Sequence, residues 1–228
     1  MSTPAPRPRQ RRSKETRPQE LLDAALALFV EKGFAATRSE EVARRAGVSK
    51  GTLYLYYPSK EELFKAVVRH NLTHLIDEGL GMLGRFDGPS ADLLRQLVEL
   101  WWERFAVTPA AGIHKVMLAE VRNFPDLAQF YADEVIAPTE RLFSGVVQRG
   151  IDRGEFRPLP AHEVALALMA PVIFLSLHRH SFGACPAHGN DLDPVAILRT
   201  QIEMALGGLL RRDAATAPPT MLDSALHT

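Results

Sequence analysis

A chain of 228 residues with 46% hydrophobic and 24% charged residues can form one large domain or two modest ones, and this composition excludes disorder over most of its length. The net charge of zero hides a split after Tyr57: residues 1–57 hold 11 Lys/Arg against 6 Asp/Glu and the remainder 16 against 21, so a polyanionic partner is expected at one end only. Cys185 is the single cysteine, which excludes an intrachain disulfide and a cysteine-rich zinc site and fits a reducing cytoplasm.

Residues 1–16 are rich in Pro and carry Arg7, Arg9, Arg11, Arg12 and Lys14 without apolar periodicity, so a disordered basic arm is expected rather than a secretory signal. From Arg17 onward apolar residues recur at spacings of three and four and no alternating strand pattern occurs, which predicts an all-α protein. A first helix runs from about Arg17 to Lys32, with Leu22, Ala25, Leu26 and Phe29 on one face and Gly33 as its stop. A short second helix lies near Ser39 to Ala46, with Thr37 and Glu40 in capping-box register and Ser39 as an alternative cap. Gly47 ends it, Ser49 caps a third helix reaching Tyr56, and Pro58 closes that one.

Ser59 and Glu62 form a second capping-box pattern and open a long helix carrying Phe64, Val68, Leu72, Leu75 and Met82. Further helices are expected near 90–107, 110–122, 125–153, 161–182 and 194–212, separated by Gly88-Pro89, Pro109, Pro125, Pro160 and Pro194. Residues 213–228 are expected to be a disordered tail. The longest apolar run, Val164 to Leu175, is too short to span a bilayer, and no membrane partner is expected.

Between Ser39 and Tyr56 two short helices are joined by a tight turn. Small Ala43 sits where the helices cross, Gly47 is in the turn, and Val48 and Leu53 are core plugs, which is the arithmetic of a helix-turn-helix. Lys50, Thr52, Tyr54 and Tyr56 place hydrogen-bonding groups on the second helix, and Gly51 allows its N-terminus a close approach to DNA. Lys50 suits a guanine edge and Thr52 a thymine methyl or a phosphate; one or more of the tyrosines belongs to the core on the alternative reading.

The stretch Phe34-Ala-Ala-Thr37, and then Glu41-Val-Ala-Arg-Arg-Ala-Gly-Val-Ser-Lys-Gly-Thr-Leu-Tyr-Leu-Tyr-Tyr-Pro-Ser-Lys-Glu-Glu-Leu-Phe64, resembles the N-terminal domain of the TetR family of repressors, which usually has Phe where this chain has Tyr57. The resemblance covers roughly residues 17–64. It implies that Lys50, Gly51, Thr52 and Tyr54 face the major groove beside Ser49, with Tyr56 and Lys60 near phosphates and Arg38 and Arg44 as further DNA contacts. It also implies a larger helical C-terminal domain that dimerises and holds a small-molecule pocket. The expected organisation is therefore an arm (1–16), a helix-turn-helix domain (17–63), a helical regulatory and dimerisation domain (64–212) and a tail (213–228).

In the C-terminal half, every residue from Val164 to Leu175 is apolar, so that helix is expected to be buried all round. With the Leu198, Ile202, Ala205, Leu206 and Leu209 stripe it would build a four-helix interface between two subunits. Trp101, Trp102, Phe105, Met117, Phe124, Tyr131, Met169 and Phe174 are the candidates for lining an apolar ligand pocket, each also readable as plain core. His178, His180, His188 and Cys185 match no usual metal-ligand spacing, and neither metal nor cofactor is expected. The sequence thus predicts a cytoplasmic, homodimeric repressor that binds a palindromic double-stranded operator and is released from it by a small, largely apolar effector. Its rivals are an activator, a ligand-independent repressor, and a helical enzyme with an ancillary DNA-binding domain; no Gly-rich phosphate loop or paired catalytic carboxylates support the last.

Overall fold

The computed structural model describes residues 17–181, 183 and 192–211; the expected basic arm, the tail, Cys185 and His188 lie outside this set. Among the described residues the only extended pairing is a single bridge between Phe156 and Leu210, and the remaining regular structure is helical.

The chain begins with α1 (Arg17–Lys32), α2 (Ser39–Arg45) and α3 (Lys50–Tyr56). Gly33 ends α1 in the left-handed region at φ +85°, its N–H donating to Phe29 O at 2.9 Å. Thr37 does not cap α2 as its spacing suggested. It is 1% exposed, and its hydroxyl donates to Gly33 O (2.7 Å) and Leu28 O (3.2 Å), which ties the loop to the end of α1. Arg38 takes the cap position instead, its backbone N–H donating to the Glu41 carboxylate at 3.5 Å. At the fourth helix, from Lys60, Ser59 does cap, accepting from Glu62 N–H at 3.1 Å, whereas the Glu62 carboxylate pairs with Lys65 rather than returning to the cap.

Three segments expected as unbroken helices each contain a π turn. The first joins α4 (Lys60–Val68) to α5 (His74–Arg85) through Arg69–Thr73; the second, Trp102–Ala106, ends α6 (Ser90–Trp101). A short 3₁₀ turn, Pro109–Ala111, leads into α7 (Gly112–Glu120). The third π turn, Ala132–Ile136, joins α8 (Pro125–Tyr131) to α9 (Ala137–Asp152). A π turn inserts one residue and so rotates the following face by about 100°. Before the first one, α4 buries Leu63, Phe64, Val67 and Val68 and packs on α1; after it, α5 packs on α6 and α9. Arg69 and Glu134, one from each of two π turns, form a bidentate pair (2.7 and 2.6 Å) that holds these irregular segments together.

Two apolar cores result. The first runs from Leu21 to Val135 and draws on α1 to α5, α7 and α8; at its centre Phe64 meets Phe29 edge-on at 5.2 Å and Phe34 at 5.4 Å. It therefore continues across the expected boundary at residue 63. The second core joins α6, α9, α10 (Ala161–Arg179) and α11 (Pro194–Leu209). Arg149 closes it by donating to Ser90 Oγ, Phe86 O and Gly88 O at 2.7, 2.6 and 2.9 Å.

Within the single subunit α10 is buried on one side only. Its 19 residues, of mean hydropathy 1.5, are long and apolar enough to cross a membrane, although the run Val164 to Leu175 alone is not. In the subunit only Ala165, Leu168, Val172, Leu175 and Ser176 are buried, and Leu166 and Phe174 are exposed. On α11 the stripe Leu198, Ile202, Leu206 and Leu209 belongs to the subunit's own core, while Met204, Gly207 and Gly208 face outward.

Candidate DNA-binding surface and apolar cavity

The turn after α2 is built from its backbone bonds. Gly47, at φ +67°, donates to Arg44 O at 3.1 Å, and Val48 donates to Ala43 O at 2.9 Å, the paired closure that a left-handed glycine permits. Ser49 then caps α3, its hydroxyl accepting from Thr52 N–H at 3.1 Å and lying 2.9 Å from Thr52 Oγ1. Val42 and Leu53, both 0% exposed, anchor the two helices.

With Leu53 fixed inward, steps of about 100° put Gly51 and Leu55 at the centre of the outward face of α3, Lys50 and Tyr54 on one flank and Thr52 on the other. Exposure agrees, since Lys50, Gly51, Tyr54 and Leu55 are exposed and Thr52 is intermediate. Leu55, 82% exposed, was missed in the sequence, where only hydrogen-bonding residues were sought; the same helical count would have found it. Arg38 and Arg44 are also exposed. The Lys50 ammonium pairs with the Glu40 carboxylate and lies 5.7 Å over the Tyr54 ring. Its hydrogen bond holds the Glu40 carboxyl below its ordinary pKa and raises that of Lys50.

Two expected contacts sit differently. Tyr56 is half-buried and packs against the first core. Lys60 donates to Phe34 O (2.9 Å) and Ala35 O (3.2 Å) and lies 4.4 Å over the Phe34 ring, so its ammonium is engaged in tying the loop before α2 to α4.

Between α5, α6, α7, α9 and α10 lies a cavity of about 520 Å³, a size suited to a small organic molecule. Trp101, Met117, Tyr131 and Met169 line it as expected. The other four candidates do not. Phe105 is fully buried against Trp101 (5.4 Å), Phe124 stacks edge-on with Phe34 (4.7 Å), Trp102 packs on the second core, and Phe174 is exposed on α10. Aromatic size marked them, but the π turns and the phase of each helix decide which rings reach the cavity.

His114 is in the wall and was not singled out from the sequence; its place one helical turn before Met117 was the available signal. Its Nδ1 has no hydrogen-bond partner, and burial, followed by the influence of His180, lowers its pKa to about 4, so the ring is neutral. Tyr131, 7% exposed, likewise has an unpartnered hydroxyl, and burial pushes its pKa far up. Leaving such groups unpaired costs ~1–3 kcal/mol each. Among the described residues no group of three or more His, Cys, Asp and Glu is placed to hold a metal.

α7 belongs to both regions. Its residues His114 and Met117 face the cavity, Gly112 leaves no room for a Cβ against Val30 of α1, and Glu120 Oε1 accepts from Ala35 N–H at 2.9 Å in the loop before α2.

Comparison with known proteins agrees with this arrangement. The profile "Bacterial regulatory proteins, tetR family" matches residues 21–67, and "Tetracyclin repressor-like, C-terminal domain" matches residues 88–184. The transcriptional activator FasR of Mycolicibacterium smegmatis is 35% identical over 197 residues, covering 86% of this chain and 84% of the relative. The transcriptional repressor KstR2 of the same species is 29% identical over 145 residues, covering 63% and 69%. Among solved structures, FadR of Bacillus subtilis in complex with stearoyl-CoA superimposes with a TM-score of 0.64 at 18% identity, covering 83% of this chain and 98% of that one. A regulator from Saccharomonospora viridis in complex with choline gives 0.70 at 19%, covering 88% and 100%. These two structures share the fold, and the relatives are regulators rather than enzymes. The chain belongs to the tetR family of bacterial regulatory proteins, as a DNA-binding transcriptional regulator.

Proposed function

We propose that the protein is a homodimeric repressor whose two α3 helices enter successive major grooves of a palindromic operator, and that a small, largely apolar ligand in the cavity releases it. The observation that carries this reading is the shared helix α7, which is cavity wall at His114 and Met117 and support for the helix-turn-helix at Glu120. A ligand that displaces α7 changes the seat of α1 and α2 directly. Its effect on operator affinity is limited by its preference for one position of α7 over the other. Ligand complexes in two structures of the same fold support a ligand role for the cavity.

Dimerisation is supported by the outward apolar side of α10 and α11, where Phe174 and Met204 are exposed. An open groove of about 760 Å³ runs between the two helices, with Ala167, Pro171, Thr200 and Gly208 in its walls. Symmetric pairing covers this face and sets the spacing of the two α3 helices.

On α3, Lys50, Gly51, Thr52, Tyr54 and Leu55 are the proposed base-reading set, with Arg38, Arg44 and Ser49 on the phosphates. Lys50 must leave Glu40 to reach DNA, so the acidic partner disfavours non-specific phosphate binding. Selection of operators from random DNA tests the assignment: Lys50→Ala and Thr52→Ala should each relax the preference at their base pair by roughly 1–3 kcal/mol. Unchanged sequence preference in both variants refutes it. Activation is the second reading, favoured by the 35% identity to the activator FasR over most of both chains. Transcription from the selected operator with and without protein decides the sign.

A further inference from the structure

We propose that the cavity selects an uncharged amphiphile, an apolar body carrying a hydroxyl or carbonyl group that hydrogen-bonds to Tyr131 and His114. This rests on the reading of the cavity as the effector site and adds the chemistry of the effector.

The wall is apolar except at a few points. Tyr131 Oη and His114 Nδ1 are buried there without partners, and both rings are neutral. Such groups are satisfied at little cost by a ligand that brings one polar atom into an apolar site, and they reward it more than solvent-exposed groups would. The Tyr131 O–H needs an acceptor, which a hydroxyl or carbonyl oxygen supplies; the imidazole donates or accepts according to its tautomer, so either group can engage a hydroxyl.

Charged heads fit less well. Among the described residues lining the cavity there is no Lys or Arg, and the carboxylate there, Glu140, repels an anion. A carboxylate or phosphate drawn inside is left without a cation. An ammonium can pair with Glu140, but it carries donors only and leaves the Tyr131 O–H unsatisfied.

The test titrates the full-length protein at pH 7.5 with octan-1-ol, octan-2-one, octanoate and octylammonium, following tryptophan fluorescence and, in parallel, the anisotropy of a labelled selected operator. Octanol and octanone are expected to bind at least about 10-fold more tightly than either ion. Tyr131→Phe, which keeps the ring, should weaken the two neutral probes about 5-fold, the loss of one net hydrogen bond, and leave the ions within about 2-fold. The comparison of probes on the unaltered protein needs no variant to fold. Octanoate or octylammonium binding as tightly as octanol overturns the inference, as does octanol affinity unchanged by Tyr131→Phe or failure of all four to bind. If the neutral probes bind with the expected discrimination while the operator stays bound, the cavity's chemistry stands and its role as effector site falls.

Discussion

Replacing Met204 by Glu separates the proposed dimer face from the subunit core. Met204 is 73% exposed in the single subunit, so most of its side chain remains to be buried. Full burial of a Met side chain is worth ~2 kcal/mol, which leaves about 1.5 kcal/mol for each subunit and about 3 kcal/mol for a symmetric dimer that uses the residue twice. The two introduced carboxylates add the desolvation of like charges, about 2 kcal/mol or more each. The sum, roughly 7 kcal/mol, raises the dimer dissociation constant by about five orders of magnitude. Sedimentation velocity should show a monomer at micromolar concentration with an unchanged circular dichroism spectrum. Operator affinity should collapse, because one half-site engages a single recognition helix. Leu206→Glu gives the contrast. Leu206 is 1% exposed within its own subunit, so this variant should lose helicity and its thermal transition rather than only its partner. A Met204→Glu protein that remains dimeric and binds its operator normally would refute the assignment of this face.

Three further outcomes follow from particular contacts. Lys60→Ala removes two hydrogen bonds to carbonyls and a cation–ring contact, so it should cost ~1–2 kcal/mol of stability in denaturant titration; an unchanged stability with weaker operator binding would return Lys60 to a phosphate role. His114 has its pKa lowered to about 4, against ~6.5 when unfolded, so the unfolded chain binds the extra proton first and stability falls as pH drops from about 6.5 towards 4, by up to ~3 kcal/mol. His114→Leu should flatten the thermal midpoint over that window relative to the unaltered protein, and parallel curves would contradict the burial argument. Glu120→Ala, which deletes the bond to Ala35 N–H, should weaken operator binding by ~1 kcal/mol although Glu120 touches no DNA; anisotropy titration with equal affinities would remove α7 from the coupling route.

The reading surface was largely legible in the sequence because its signals are local. Gly47 and Ser49 fix a turn through backbone and cap bonds a few residues apart, and the positions of α1, α2 and α3 followed within one residue. Thr37 misled because capping spacing competes with burial, and the hydroxyl went to carbonyls of α1 instead. The cavity was legible only in part. Trp101 and Met117 reach it, but a π turn shifts the phase at Phe105 without a Pro or Gly pattern that announces it, and Phe124, at the cap of α8, packs on the first core. Likewise the α11 stripe gave the correct periodicity but not the surface it faces: intrasubunit and intersubunit burial impose the same apolar spacing. Leu206 and Leu209 proved to be core, and Met204 on the adjoining face is open.

The first apolar core, which draws on residues on both sides of position 63, has a consequence for exchanging specificity between regulators of this kind. A graft joined at residue 63 would cut through packed side chains and leave Phe29 and Phe34 against a foreign Phe64, α7 and α8. The reading head is not a detachable cassette. On the proposed assignment its interchangeable part is a surface one side chain deep: the outward residues Lys50, Gly51, Thr52, Tyr54 and Leu55 would be transplanted onto a fixed α3, while the buried Leu53 stays with its host. A new operator preference can then be acquired without renegotiating the fit between the cavity and the helices that answer to it.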